Sequence, residues 1–110
     1  MTAGAAISGS GSALQTAVGQ IDNIGTIDPA ITVTGGDYTS TQLVAINAAT
    51  DGNITLNTPA NASALSDTLA NLLLALAGTI TAPTGAITIS DNSGTLAAAD
   101  ISTVHGKYGG

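Results

Sequence analysis

The five residues Ala30-Ile31-Thr32-Val33-Thr34 return nearly unchanged as Ala86-Ile87-Thr88-Ile89-Ser90, with Asn53-Ile54-Thr55-Leu56-Asn57 between them. Two further echoes accompany them: Ser12-Ala13-Leu14 against Ser63-Ala64-Leu65, and Gly25-Thr26-Ile27 against Gly78-Thr79-Ile80. Repetition of this kind marks units that cannot bury an apolar face alone and must stack on a neighbour. An array copies one surface along its length. That favours a scaffold or an adhesive surface over a single catalytic pocket.

Cutting before each short strand divides residues 1–110, a single repeat-array domain, into four units at about 4–28, 29–51, 52–84 and 85–110. Each reads as strand, turn, helix and connector. The strands are Ala6-Ile7-Ser8, Ile31-Thr32-Val33-Thr34, Ile54-Thr55-Leu56 and Ile87-Thr88-Ile89-Ser90. The two-residue period of a strand sends Ile31, Val33, Ile54, Leu56, Ile87 and Ile89 to one face. It sends Thr32, Thr55 and Thr88 to the other, about 4.8 Å apart if the strands are neighbours. Gly9-Ser10-Gly11, Gly35-Gly36-Asp37, Asn57 to Asn61 and Asp91-Asn92-Ser93-Gly94 follow as turns, because these residues tolerate positive φ or bond their own backbone.

Spacing supplies the helices. Leu65, Leu69, Leu72, Leu73 and Leu76 form one apolar stripe, with Ser63 or Asn61 as the cap and Gly78 as the stop. Leu14, Val18, Ile21 and Ile24 repeat the stripe up to Gly25. Leu43 and Ile46 after Ser40, and Leu96, Ile101 and Val104 near the end, give two shorter ones. Strands joined through helices within one sheet require parallel, right-handed crossovers. The expected fold is therefore α/β: a short right-handed β/α solenoid with a parallel sheet. Ile31, Val33, Ile54, Leu56, Ile87 and Ile89 form its stacking core, and Leu65, Leu69, Leu72 and Leu76 seal the helical side.

Composition narrows the working chemistry. The chain has no Cys, Trp or Phe, one basic residue (Lys107), one imidazole (His105) and a net charge of −6. Nucleic acid and anionic membrane surfaces are recognised through clustered Lys and Arg, so neither is a partner. The apolar run Leu72 to Ala77 is too short to span a bilayer. The opening Met1-Thr2-Ala3-Gly4 lacks the basic and apolar regions of a signal peptide. With both ends lacking a polar capping unit, the chain reads as a piece of a longer protein.

Catalysis and metal binding find few candidates. A nucleophile–base pair must use His105, which reads instead as a solvated group at a helix C-terminus, favourable to the dipole. One His and no Cys leave no transition-metal site. Calcium is the one metal to weigh, with oxygens from Asp91, Asn92 and Ser93 and from Asp37 and Asp51 in other turns. It needs six or more converging oxygens, whereas the acids, all Asp at 22, 28, 37, 51, 67, 91 and 100, are scattered singly, and turn formation accounts for them without an ion. Gly9-Ser10-Gly11 precedes a helix but completes neither a dinucleotide fingerprint nor a P-loop. Asn53-Ile54-Thr55 and Asn61-Ala62-Ser63 match glycosylation sequons, a short pattern common by chance.

Two stretches carry a resemblance. Ile87-Thr88-Ile89-Ser90-Asp91 followed by Leu96-Ala97-Ala98-Ala99-Asp100-Ile101, and Leu43 to Gly52 with its Ile-Asn-Ala-Ala-Thr-Asp-Gly ending, resemble repeat segments of large bacterial extracellular surface proteins. These are cyanobacterial-type surface proteins and adhesins of the type I-secreted, RTX-associated kind. The resemblance covers about residues 29–110. It implies an extracellular, cell-surface location and a non-enzymatic structural or adhesive role, as a spacer or stalk stacked on neighbouring repeats or copies of itself. The Gly-Gly-x-Gly-x-Asp calcium repeat is absent, and Gly35-Gly36-Asp37 holds only a fragment of it, so no calcium site carries over. Two alternatives belong beside this expectation: a glycan- or ice-binding module using Thr32, Thr55 and Thr88, and a self-assembling filament or surface-layer subunit.

Overall fold

A computed structural model describes residues 6–60, 65–81, 87–91 and 96–108. The elements run β1 (Ala6–Gly9), α1 (Gly11–Gln20), α2 (Ile24–Ile27), β2 (Ala30–Val33), α3 (Ser40–Ala49) and β3 (Ile54–Leu56). They continue as β4 (Ser66–Asp67), α4 (Leu69–Ala75), β5 (Ile80–Thr81), β6 (Thr88–Ile89) and α5 (Ala98–Tyr108). The protein is a mixed α/β structure with a parallel sheet in the order β1-β2-β3-β5. The helices keep the same order: α1 packs on α3, α3 on α4, and α4 on α5.

The three longer helices of the first part start for the same local reason. Extended Ser10, Thr39 and Thr68 precede α1, α3 and α4, and each hydroxyl accepts a bond from the third residue on, Ala13, Gln42 and Asn71. At α3 the Gln42 side chain also returns a bond to Thr39 N at 3.0 Å, closing a capping box. The expected caps of α4, Asn61 and Ser63, lie outside the described residues. Thr68 serves because Ser66-Asp67 is extended and paired with Thr88-Ile89, which postpones the helix. Leu65 is therefore buried from ahead of the helix rather than from its first turn, while Leu69, Leu72 and Leu76 are buried from α4 and its end.

The first helix is shorter than its stripe suggests. It stops at Gln20, and the turn-forming Asp22 and Asn23 separate it from α2. Asp28 then reverses the chain in the left-handed region at φ 50°, its N–H donating to Ile24 O. At the other end, α5 buries Val104 as expected, together with Tyr108 one turn on, while Leu96 and Ile101 of the expected stripe are exposed.

One strand assignment is corrected. Ile87, Thr88 and Ile89 do not continue the sheet of β2 and β3; β6 pairs with β4 in a separate two-stranded sheet. Ile80-Thr81, within the expected third unit, occupies the fourth place instead. Gly78 explains the switch: at φ 72° it turns the chain directly after α4, so the next Ile-Thr pair enters the sheet first.

The core is one continuous cluster of Leu, Ile and Val side chains with two tyrosines. Leu72, Leu43, Ile46 and Val33 are fully buried, each such residue stabilising by roughly 1.5–3 kcal/mol. With no Phe or Trp, stability depends on close packing of these aliphatic side chains between the helices and the sheet.

Candidate functional site

Parallel pairing in register brings together what alternation only separates into faces. Ile7, Ile31, Ile54 and Ile80 form one rank across four strands. Ile31 and Ile54 are buried, and Ile7 and Ile80 pack against the core from its two sides. Val33 pairs with Leu56 in the next rank, and Gly9 takes the place of a side chain beside them. Ile87 and Ile89 are half-buried and pack on the same core from the second sheet. Ile80 is a further member of this ladder, and Gly78-Thr79-Ile80-Thr81 carries the same signal as Gly52-Asn53-Ile54-Thr55.

On the opposite face Ser8, Thr32, Thr55 and Thr81 form a row of hydroxyl-bearing residues. Thr32 and Thr55 are half-buried between their neighbours, whereas Ser8 and Thr81 are exposed. Thr88 is absent from this row. It is exposed in the second sheet, opposite Ser66.

Polar side chains tie one layer to the next. Asp28 Oδ1 accepts from Asp51 N at 2.9 Å, joining the connector before β2 to the one before β3. Beside it Thr50 Oγ1 donates to Pro29 O at 3.2 Å and accepts from Gly52 N at 3.0 Å. Asn47 donates to Ala75 O, linking α3 to the end of α4. Asp91 Oδ2 accepts from Leu69 N at 2.7 Å, at the start of α4. A carboxylate there also complements the positive end of the helix. These bonds give the carboxylates of Asp28 and Asp91 structural work, and among the described residues no three acidic or imidazole groups gather around a common point.

Asp67 is the most heavily engaged acid. Ser40 Oγ donates to it at 2.8 Å, and Asn71 Nδ2 and Thr68 N donate to its second oxygen. These bonds, with Ser40 the largest contributor, hold its carboxyl below the usual range. Because the folded value is depressed, the stabilisation is present above the unfolded Asp value of about 3.9 and disappears as pH falls through the folded value. Urea midpoints of wild type and Asp67→Asn, measured from neutral pH down to about pH 2, should differ at neutral pH and converge on acidification. A constant difference would show that the ionised form has no special stabilisation.

Tyr38 and Tyr108, the only aromatic residues of the chain, are both fully buried. Their hydroxyls lie 2.9 Å apart. Tyr38 donates to Thr58 O at 2.7 Å, so the proton between the rings belongs to Tyr108, which accepts from Ala60 N. Burial, then the bond to Tyr108, pushes the Tyr38 hydroxyl well above the ordinary tyrosine range. Nothing in the sequence pairs two tyrosines standing so far apart among small residues.

Two surface clefts flank the Ala77-Gly78 corner. One, of about 340 Å³, lies between the C-terminal ends of α3 and α4 and includes Asn47, Asp51, Leu74 and Thr79. The other, of about 290 Å³, lies between α4 and α5 and includes Leu73, Val104 and Lys107. Neither has a carboxylate, an imidazole and a hydroxyl together in its lining; His105 is exposed, near the end of α5. Among the described residues, no helix is long and apolar enough to cross a membrane. No family model matches this chain, and no curated protein or solved structure matches it either.

Proposed function

We propose that this protein is a non-enzymatic structural module, a short right-handed β/α solenoid segment that stacks end to end as a spacer or stalk. The observation that carries this reading is the matched order of two rows. Strands β1, β2, β3 and β5 and helices α1, α3, α4 and α5 follow one another in the same sequence, with one isoleucine of each strand in a common rank. The elongated form, 44 × 24 × 20 Å, agrees with layers added along one direction. The resemblance of the Ile-Thr-Ile-Ser-Asp and Ile-Asn-Ala-Ala-Thr-Asp-Gly stretches supports a bacterial extracellular surface protein as the setting. Its partners are then neighbouring repeats or further copies of itself.

Light scattering and electron microscopy over a rising concentration series test the reading. The expected result is a mass that climbs beyond the monomer, with particles lengthening in one dimension only. A single monomeric mass at every concentration would leave self-stacking without support.

The register of Ser8, Thr32, Thr55 and Thr81 favours a second reading, in which this face binds a glycan or ice. Thr55→Val keeps the shape and the strand preference while removing one hydroxyl from the middle of the row. Loss of glycan-array binding or of ice shaping in that variant, with unchanged stability, would favour the ligand role over the spacer.

A further inference from the structure

We infer that α5 is an exchangeable strap, and that the surface it covers on α4 receives α5 of a second copy. This rests on the end-to-end reading above and gives that association a specific mechanism.

The hold on α5 is narrow. Of its eleven residues only Val104 and Tyr108 are buried, and Ile101 is 39% exposed. The ten-residue helices α1 and α3 bury two apolar side chains each, Leu14 with Val18 and Leu43 with Ile46, and add a third buried contact at Gly11 and Ser40. The cleft between α4 and α5 deprives their facing side chains of contacts that a close-packed pair would make. Gly106 stands between the two anchors in an open position, with nothing within 4 Å of where a Cβ would be, and a glycine inside a helix lowers its stability. Elements with few buried contacts open before the rest of a fold does.

The remaining anchors are hydrogen bonds, of which only that of Lys107 is exposed. Lys107 donates to Gly78 O at an exposed position. Tyr108 bonds Tyr38 and Ala60, but Tyr38 has its own acceptor in Thr58 O and retains it when Tyr108 leaves. What opening uncovers is apolar: Leu73 and Leu76, which line the contact with α5, and the space that the Tyr108 ring had filled.

The chemistry of the chain selects the occupant. The exposed residues of α1, at the other end of the helix row, are Ser12, Ala13, Gln15, Thr16, Gly19 and Gln20, a face too polar to replace Val104 and Tyr108. A second copy's α5 reproduces every contact of the closed form and needs no new surface. Such an exchange of identical elements joins copies at low cost.

The experiment uses the full chain, concentrated and warmed below its unfolding transition, followed by native mass spectrometry after dilution. Wild type is expected to form dimers or longer species that outlast dilution, since reversal requires the strap to open again. Their near-ultraviolet circular dichroism should match the monomer's, because both tyrosines are buried again. Tyr108→Phe removes both hydrogen bonds of that hydroxyl, to Tyr38 and from Ala60 N, and should speed exchange by about ten- to a hundredfold. Gly106→Ala stiffens the helix at an open position and should slow it, which provides an independent test if the tyrosine variant folds poorly. Association that reverses at once on dilution and ignores both variants would overturn strap exchange while leaving end-to-end stacking intact. No association by any of the three proteins would count against both.

Discussion

Replacing Leu72 with Asp should abolish the cooperative unfolding transition of this protein. Leu72 is completely buried on α4, within the core shared by the helices and the sheet. The substitution removes a large apolar side chain, a loss of about 2–5 kcal/mol for truncation alone. It also places a carboxyl where charge is strongly disfavoured without a partner. The chain's bases are Lys107, bonded to Gly78 O, and His105 in an exposed turn. A total above about 4 kcal/mol is a large share of the roughly 5–15 kcal/mol that holds a small domain. Leu74→Asp is the matched control. Leu74 lies on the same helix but is 56% exposed, and its replacement should change stability by less than about 0.5 kcal/mol. Thermal melts followed by far-ultraviolet circular dichroism check both. A sharp transition for Leu72→Asp near the wild-type midpoint would show that α4 does not seal the core in solution.

The contrast between these two leucines marks what the sequence makes legible. Leu69, Leu72 and Leu76 are found from helical spacing, because a stripe repeated every three or four residues has one place to go in water. Ile31, Val33, Ile54 and Leu56 follow from alternation for the corresponding reason, and all four are buried. Alternation picks Ile87-Thr88-Ile89-Ser90 for the fourth strand position, however, over the shorter Ile80-Thr81 that fills it. Long-range pairing decides between them: Thr88-Ile89 is held by Ser66-Asp67, a partner visible only after the chain has folded. The same distance hides the tyrosine bridge. Tyr38 and Tyr108 each read as an isolated aromatic until α5 is brought beside the segments that precede α3 and follow β3. The hydroxyl row keeps its chemistry but changes one member, since Thr81 inherits the place expected for Thr88.

Gly52→Ala and Gly19→Ala should shift stability in opposite directions, although they add the same methyl group. At Gly52 a Cβ would press on the carbonyl oxygens of Asp28 and Pro29 and come within 2.8 Å of Pro29 C. Those are backbone atoms, fixed by the Thr50 bond to Pro29 O and the Asp51 bond to Asp28, so the connector cannot relax by turning a side chain. Either the two connectors separate, breaking the Thr50 and Asp51 bonds between them, or strain remains. A loss of about 2–4 kcal/mol follows from overpacking together with the broken bonds. At Gly19 nothing lies within 4 Å and the residue is helical, so Ala there should gain about 0.4–1 kcal/mol by narrowing the unfolded ensemble and favouring the helix. Urea denaturation of the two variants against wild type measures both signs. Equal, small effects would mean that the Asp28 and Asp51 connectors are not in close contact. The strand ladder and the apolar ranks would then set the spacing of β2 and β3, and the Asp-Gly pair in the connector would have no part in it.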